Sequence, residues 1–417
     1  MNIVRYHGLD FLRAFMMILG VVLHVGVMYM PEPYGNDIAS ILDDPKDPYR
    51  DIGAYSITIQ RIVFVIHYFR MPAFMLLAGF FAALLLNKRG VKELIKNRLI
   101  RIAVPAILFW FILWPMDSFG WALGERMILD QANQYTLNNH ISNNFSWHHL
   151  PFASDRAYHT MHLWFIYYLI LFYITIIAFR VLVNCLSHDQ RGFFKKVTET
   201  LFKSKYKYIL YPVLVSASFL TLKLGSTFHF MGSFRFVPDI VVFVNYFVFF
   251  LTGWVAYSYA DVICYFKEKA WLYSWISFFL VVALLWASEK YIESGNLLSA
   301  GNSSGGNSTG DSFYFNLATL LQALSAWFII FAFVGLAEKY ISKPNPILTY
   351  MVGASYWIYL IHRPFCFTFT ACLQRWDSPG LIKFFIVNSF VLLICLSTYH
   401  YLVRRTWIGW LLNGSKY

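Results

Sequence analysis

Three ionisable residues, Asp10, Arg13 and His24, interrupt an apolar stretch near the start of the chain, LDFLRAFMMILGVVLHVGVMYM at residues 9–30. Inside a membrane helix such a side chain costs several kcal/mol unless it meets a partner, water or a ligand. Arg13 and His24 are eleven positions apart, so a helix places them on one face about 16 Å from each other. Asp10 lies within pairing reach of Arg13. The spacing therefore predicts a carboxylate–guanidinium pair near one membrane surface and an imidazole further along the same helix face.

The chemistry that these residue types favour is proton transfer near an anionic group. An unperturbed imidazole titrates near pH 6.5, so His24 can accept the proton of a hydroxyl that attacks a carbonyl carbon. Arg13 stays protonated and cannot act as a base. Its expected role is to bind an anion or to stabilise developing negative charge. A purely structural role for both residues, in packing or topology, is the alternative.

Further polar residues lie near the ends of later apolar runs. Arg98 and Arg101, three positions apart in RLIRI, suit bidentate binding of a phosphate, although anchoring at the inner membrane surface also explains them. In the second run, Pro72 predicts an irregular turn, and snorkelling to the outer headgroups is an alternative for Arg70. We expect the outer helix ends to converge near His24. Their polar residues are His67, Arg70, His162, His362 and Arg363.

The composition is that of a polytopic membrane protein. Of the 417 residues 58% are hydrophobic and 13% charged, whereas a soluble chain carries about 25% charged residues. Ten apolar runs near the length of a membrane span begin near residues 9, 62, 99, 160, 207, 237, 270, 314, 346 and 381. The expected fold is all-α with about ten transmembrane helices, forming one integral membrane domain over residues 1–417.

The basic residues predict the orientation of the chain. The net charge is +12, but most of the 34 Lys and Arg residues fall in short loops and tails on one side of the predicted helices. That distribution indicates a positive-inside topology with both termini cytoplasmic, and it argues against a nucleic-acid partner. The first apolar run has no small-residue cleavage site, so we expect it to remain as the first membrane helix.

The segments between the runs suggest little further chemistry. Residues 31–61 and 117–158 resemble solvated outer loops that are long enough to cover a site, and residues 301–310 resemble a mobile loop. Three outer-loop histidines (His140, His148 and His149) lack a carboxylate or cysteine that completes a metal site, so no metal is expected. There is no GxSxG nucleophile elbow, no P-loop, no GxGxxG preceded by a strand and no HExxH motif. Cys366 and Cys372 can pair only if their side of the membrane is oxidising.

Five segments in order resemble the landmarks of the membrane acyltransferase-3 family. They are LDFLRAFMMILGVVLH, FRMPAFMLLAGFF, RLIRI, HLWFIYYLI and SYWIYLIH, and they run from about residue 5 to 365. The resemblance implies a multi-pass protein of the bacterial inner membrane that transfers an acyl group from a cytoplasmic acyl thioester to a sugar hydroxyl outside. It also implies that His24 is the catalytic histidine, with Arg13 as its partner and Asp10 at the acidic position. Arg98 and Arg101 then match the basic pair that binds the donor.

The acyl group and the acceptor are open at this stage. Within the family the segments most resemble members that succinylate periplasmic glucans, which favours succinyl-CoA as co-substrate; Arg70 or Arg363 would then bind the free carboxylate. The alternatives are O-acetylation of lipopolysaccharide or another surface polysaccharide from acetyl-CoA, and transport of an anionic solute along the same charged line. We expect direct transfer, since no activated Ser or Cys is evident beside His24. We expect no bound cofactor, and the oligomeric state is open.

Overall fold

The described elements are helical throughout. The computed structural model describes residues 6–31, 51–129, 160–185, 192, 196, 207–259, 261–293, 309–343 and 345–414. Its α-helices are α1 (His7–Val27), α2 (Ile57–Arg98), α3 (Val104–Leu129), α4 (Trp164–Cys185), α5 (Lys207–Leu224), α6 (Ile240–Ala256), α7 (Asp261–Glu268), α8 (Ala270–Glu293), α9 (Thr309–Tyr340), α10 (Pro346–Leu373), α11 (Gly380–Thr398) and α12 (Trp407–Asn413). Short 3-10 turns precede α2 and α4, and π-helical turns at Leu99–Ala103 and Tyr399–Val403 follow α2 and α11. The all-α prediction is confirmed for these residues.

The helices follow the apolar runs closely, but not all of them meet a strict criterion for a membrane span. Helices of at least 17 residues begin near each of the ten predicted starts. Six helical stretches in the described ranges are long and apolar enough to cross a membrane. One of them, Ile57–Asp117, takes in α2, the π-helical turn and the first part of α3. The protein is therefore a multi-pass membrane protein, while the count of ten spans and the side of the termini stay predictions.

Local sequence explains where several helices begin. Ser56 caps α2 by accepting a hydrogen bond from the Ile59 amide, and Asp239 caps α6 by accepting from two amides. Asn345 caps α10 in the same way, with Pro346 at the first helical position, where its missing N–H costs nothing. These caps satisfy amides that the first helical turn leaves without a partner.

Helix α2 keeps its helical backbone at Pro72, so the irregular turn predicted there is wrong. Proline removes the N–H that would bond the carbonyl four residues earlier. The Gln322 side chain on α9 replaces it, since Gln322 Nε2 donates to Tyr68 O at 2.9 Å. The backbone departs from helical geometry at Gly90 instead, where φ is +80°. A polar side chain from another helix thus keeps α2 regular.

Helix α1 lies inside the bundle. It packs against α2, α9, α10 and α11. Close backbone approach also joins α2 to α6, because a Cβ at Gly79 or Gly253 would overlap the backbone of the facing helix. The charged side chains of α1 consequently meet protein groups and cavities instead of lipid.

Two of the expected outer loops are partly helical. Residues 117–129 continue α3, and residues 57–61 begin α2, so these two stretches are helical and the loops predicted there are shorter than expected. Residues 32–50, 130–159 and 301–308, with His140, His148 and His149, lie outside the described residues. After the first gap, the chain returns to the bundle at Asp51, whose Oδ2 accepts a hydrogen bond from Lys383 Nζ at 2.6 Å. Burial raises the pKa of Asp51, and Lys383 opposes that shift.

All five cysteines are free thiols. Cys366 is buried and Cys372 is exposed, and both lie on α10. Residues six positions apart do not share a helix face. The pairing of these two cysteines considered from the sequence is therefore absent.

Candidate active site

Three histidines from three elements meet beside α1. The ring centroid of His362 lies 5.1 Å from that of His24 and 5.1 Å from that of His162, and the His24 and His162 rings are 6.4 Å apart. His162 and His362 are 3% and 1% exposed, while His24 is only partly buried. They line a cavity of about 80 Å³, here called the His24 cavity. Its polar lining is completed by His67, Arg70 and Arg363, so the structure brings together the six residues expected to converge.

Pro364 explains how His162 is held. Because proline has no N–H, it leaves the Leu360 carbonyl without its helical partner. His162 Nε2 lies 3.0 Å from Leu360 O and 3.1 Å from Tyr359 O. Both neighbours are acceptors, so Nε2 carries the proton and Nδ1 does not. That Nδ1 is buried and has no hydrogen-bond partner.

His362 is held by its own helix in the opposite tautomer. Its Nδ1 lies 2.8 Å from Tyr359 O and 3.0 Å from Ile358 O, so Nδ1 carries the proton. Its Nε2 is buried without a hydrogen-bond partner. Both histidines beside His24 therefore hold one bare ring nitrogen each. Such groups can accept a proton but cannot donate one in this state.

The two arginines of the His24 cavity differ in their partners. Arg363 forms an ion pair with Asp117 of α3, and its guanidinium lies 4.7 Å from the centroid of the Phe367 ring. Arg70 has no acidic partner within the part of the chain that the structure describes, and it donates only to Met71 Sδ at 3.4 Å. Its Nε is buried without a partner. A Cβ at Gly20 would overlap the Arg70 guanidinium, so this glycine gives the arginine its place beside α1.

Three further arginines surround a second, larger cavity. Arg13, Arg98 and Arg101 line a space of about 260 Å³, here called the Arg13 cavity. Asp10 Oδ1 lies 3.4 Å from Arg13 Nη2, as the spacing predicted. The Arg98 guanidinium lies 4.8 Å from the centroid of the Tyr173 ring, an arrangement typical of cation–π contact. The three cations thus come from α1, α2 and the π-helical turn that follows α2.

Helix α1 connects the two cavities. Arg13 lines one and His24 lines the other, with about three helical turns between them. Phe165 of α4 lines both cavities, so the two spaces adjoin at this residue. That ring packs edge-on against Phe74, with centroids 4.5 Å apart. The arrangement can hold an anion at one end of α1 and accept a proton at the other.

Several residues at the site were not singled out from the sequence. Asp117 lay in a segment interpreted as a loop, although an acidic residue next to the apolar run was a signal of partnership with an arginine. His229, in the connection between α5 and α6, stacks on Tyr68, with ring centroids 5.8 Å apart, and contacts His67. Tyr359 binds His162 twice, since its hydroxyl also donates to His162 O at 2.7 Å. Only tertiary contacts reveal these roles.

The described residues include no group of three His, Cys, Asp or Glu side chains arranged to hold a metal ion. The histidine cluster itself commits one ring nitrogen each of His162 and His362 to backbone carbonyls. The arrangement favours acid–base chemistry over metal binding.

Comparison with known proteins assigns the family. The family model for the acyltransferase 3 group, described as an acyltransferase domain, matches residues 6–400. Glucans biosynthesis protein C of Salmonella typhi is 21% identical over 99% of this chain and 95% of its own length, and the Salmonella typhimurium protein of that name gives the same values. No solved structure matches the chain. Since the family match covers nearly the whole sequence, the protein belongs to the acyltransferase 3 family and is an O-acyltransferase enzyme.

Proposed function

We propose that this enzyme transfers an acyl group, succinyl in preference, from cytoplasmic acyl-CoA to a hydroxyl of a periplasmic or surface glycan. The observation that carries the proposal is the pair of cavities along α1, one lined by guanidinium groups and the other by imidazoles. The relatives named glucans biosynthesis protein C support a glycan acceptor. The proposal includes ten membrane spans, cytoplasmic termini and residence in the inner membrane.

The Arg13 cavity is the proposed donor site. Coenzyme A carries phosphates, and Arg13, Arg98 and Arg101 supply charge-assisted hydrogen-bond donors for them. Asp10 holds Arg13 in place through their ion pair. The flexible arm of the donor would then pass Phe165 and carry its thioester toward His24.

The His24 cavity is the proposed site of transfer. His24 accepts the proton of the sugar hydroxyl while the hydroxyl oxygen attacks the thioester carbonyl carbon. The new C–O bond forms, the C–S bond breaks, and the proton passes from His24 to the departing thiolate. We propose direct transfer without an acyl-enzyme, because the described lining of this cavity holds no Ser or Cys.

Arg70 supports succinyl as the acyl group. A succinyl thioester carries a free carboxylate, which needs a cation when it enters an apolar cavity. Arg363 is already paired with Asp117, whereas Arg70 has no acidic partner within the described ranges. A guanidinium beside the bare histidine nitrogens is therefore the better of the two candidates. His67 and His162 are proposed to contact the acceptor or the acyl group.

The decisive experiment replaces His24. His24→Ala should abolish detectable ester groups on the glycans while the protein remains inserted in the membrane, since loss of a general base typically slows a reaction by about a hundredfold to ten-thousandfold. His400→Ala is the matched control, because His400 is an exposed histidine outside both cavities. Unchanged ester content in the His24 variant would overturn the proposal.

Mass analysis of the products identifies the acyl group and the acceptor. Periplasmic glucans and surface glycans from cells with and without the gene should differ by succinyl groups on the glucans. Acetyl groups on lipopolysaccharide or another surface polysaccharide would assign the alternative reaction. A gene-dependent change in anion uptake without any glycan ester would assign a transporter instead.

A further inference from the structure

The C-terminal helix α12 ends at the edge of the Arg13 cavity. Leu412 and Asn413 belong to the lining of that cavity. Leu412 is buried, whereas Trp407 and Trp410 are 65% and 51% exposed. Tryptophan side chains favour the interface between membrane and water. One face of this short helix therefore packs on the protein while its two tryptophans are exposed, as is expected for a helix at the membrane interface.

Arg101 is fixed by the end of this helix. Arg101 Nη1 donates to the backbone oxygen of Asn413 at 3.0 Å. The last carbonyls of a helix lack partners within it, and the negative end of the helix attracts a cation. The Asn413 side chain in turn donates from Nδ2 to Gly353 O of α10, also at 3.0 Å. The end of α12 thus links Arg101 to a helix that carries part of the His24 cavity.

Gly414 makes this contact sterically possible. Its φ is +77°, in the left-handed region where a glycine commonly ends a helix. A Cβ at this position would overlap the guanidinium group of Arg101. Any other residue would strain the backbone and also push Arg101 away from its present position.

We propose that Asn413 and Gly414 are positioning residues that aim Arg101 at the phosphates of coenzyme A. The inference rests on the proposed function, since it assumes that the Arg13 cavity binds the donor. The end of α12 would hold one edge of the guanidinium and so fix its position at the edge of the Arg13 cavity. Donor affinity then depends on a segment of the chain more than 300 positions after the arginine that it serves.

Gly414→Ala tests the proposal, with Gly90→Ala as a matched control. Both glycines have φ near +80°, but a Cβ at Gly90 meets nothing within 4 Å. Gly90 has ψ 176°, in a region that is essentially restricted to glycine, whereas Gly414 has ψ 8°. Gly90→Ala therefore carries the larger backbone strain and lacks the contact with Arg101, so strain alone cannot explain a larger loss of affinity in Gly414→Ala. For purified enzyme in nanodiscs, Gly414→Ala should raise the KM for succinyl-CoA and the Kd for coenzyme A about tenfold, the loss expected when a charge-assisted contact is displaced. Its kcat should stay close to that of Gly90→Ala.

Two further variants separate positioning from general damage. Asn413→Ala removes the link to Gly353 and should shift KM in the same direction by a smaller factor. In an Arg101→Ala background, Gly414→Ala should cause no additional loss of coenzyme A affinity, because the two changes act on one contact.

The possible failures are distinguishable. If the unaltered protein does not bind coenzyme A, the proposed donor site fails and this inference with it. If it binds coenzyme A, but Gly414→Ala and Gly90→Ala show equal affinity, the positioning role is overturned while the proposed function stands. An equal loss with and without Arg101 would also overturn it.

Discussion

The two cavities along α1 differ in how their polar groups are held. In the His24 cavity, hydrogen bonds to backbone carbonyls fix the tautomers of His162 and His362, and the space is about 80 Å³. In the Arg13 cavity the cations are partly exposed and surround about 260 Å³, and Arg13 and Arg98 each lie over an aromatic ring. A small site with fixed tautomers suits proton transfer, whereas a wider cationic site suits binding of a large anion. The same face of α1 therefore contributes Arg13 to a wide, partly exposed cavity and His24 to a small, more buried one.

The two cavities should differ most in the free energy of unfolding that is lost when an ion pair beside each of them is broken. The Asp117–Arg363 pair beside the His24 cavity has side chains that are 12% and 11% exposed. Asp117→Asn leaves the arginine charged and unpaired in a buried place, which should lower the free energy of unfolding by about 3–5 kcal/mol. Unfolding in detergent, followed by circular dichroism, measures this loss.

A double variant controls for the loss of Asp117 itself. Asp117→Asn with Arg363→Met removes both charges and should regain much of the stability lost in the single variant. If Asp117→Asn is as stable as the unaltered protein, the Asp117–Arg363 pair contributes no more to stability than an ion pair on the surface.

Arg70 provides the next largest effect, on activity instead of stability. Arg70→Met should reduce kcat/KM for succinyl-CoA by about a hundredfold, since a buried carboxylate would lose its cation. Acetyl-CoA has no free carboxylate, so its turnover should fall much less. Gly20→Ala is a subtler variant that keeps the charge but displaces the guanidinium. Equal losses for both donors would assign Arg70 a structural role.

His229 lies on the His24 side of the molecule, and its burial predicts that the protein loses stability in acid. Burial lowers the pKa of His229 to about 3, against about 6.5 in an unfolded chain. Above pH 6.5 this histidine is neutral in both the folded and the unfolded protein, so it does not reduce the free energy of unfolding. Between pH 6.5 and pH 3 only the unfolded chain takes up the proton, so the free energy of unfolding falls as the pH falls. Between pH 6.5 and pH 5 the loss should be about 2 kcal/mol.

The comparison of two phenylalanine variants isolates this titration. His229 lies among the rings of Phe64, Tyr68 and Phe228, so His229→Phe fits the same surroundings without titrating. Its melting temperature should fall less between pH 7.5 and pH 5 than that of the unaltered protein. His400→Phe, at an exposed position, should keep the original pH dependence. Identical pH profiles for all three proteins would contradict the assignment.

The sequence predicted polar residues of both cavities, but only for the Arg13 cavity did a local pattern also predict a contact between them. The pairing of Asp10 with Arg13 follows from a three-residue spacing on one helix, and Arg98 and Arg101 follow from a basic motif in one short segment. Helical periodicity alone supplies such relations. The starts of the long helices were likewise readable from apolar runs.

The remaining features depend on contacts between distant parts of the chain. Pro364, two hundred positions after His162, leaves the Leu360 carbonyl without its helical partner. His162 Nε2 binds this carbonyl, and the contact fixes the tautomer of His162. In α2, Gln322 likewise binds the Tyr68 carbonyl that Pro72 leaves without its helical partner. Composition also misled, because the polar residues beyond Asp117 hid the continuation of α3. No local pattern encodes these relations, since each is set by which helices become neighbours.

The smallest expected effect on the free energy of unfolding comes from breaking the Asp10–Arg13 pair at the Arg13 cavity. Arg13 is 38% exposed and its Nη2 lies 3.4 Å from Asp10 Oδ1, so solvent screens the attraction. Asp10→Asn should change the free energy of unfolding by less than about 1 kcal/mol. Donor binding should nevertheless weaken by a few fold, because Arg13 loses the partner that orients it toward the cavity. Kinetics and unfolding of the same preparation test both statements. A stability loss as large as that of Asp117→Asn would mean that solvent does not screen the Asp10–Arg13 pair more than the Asp117–Arg363 pair.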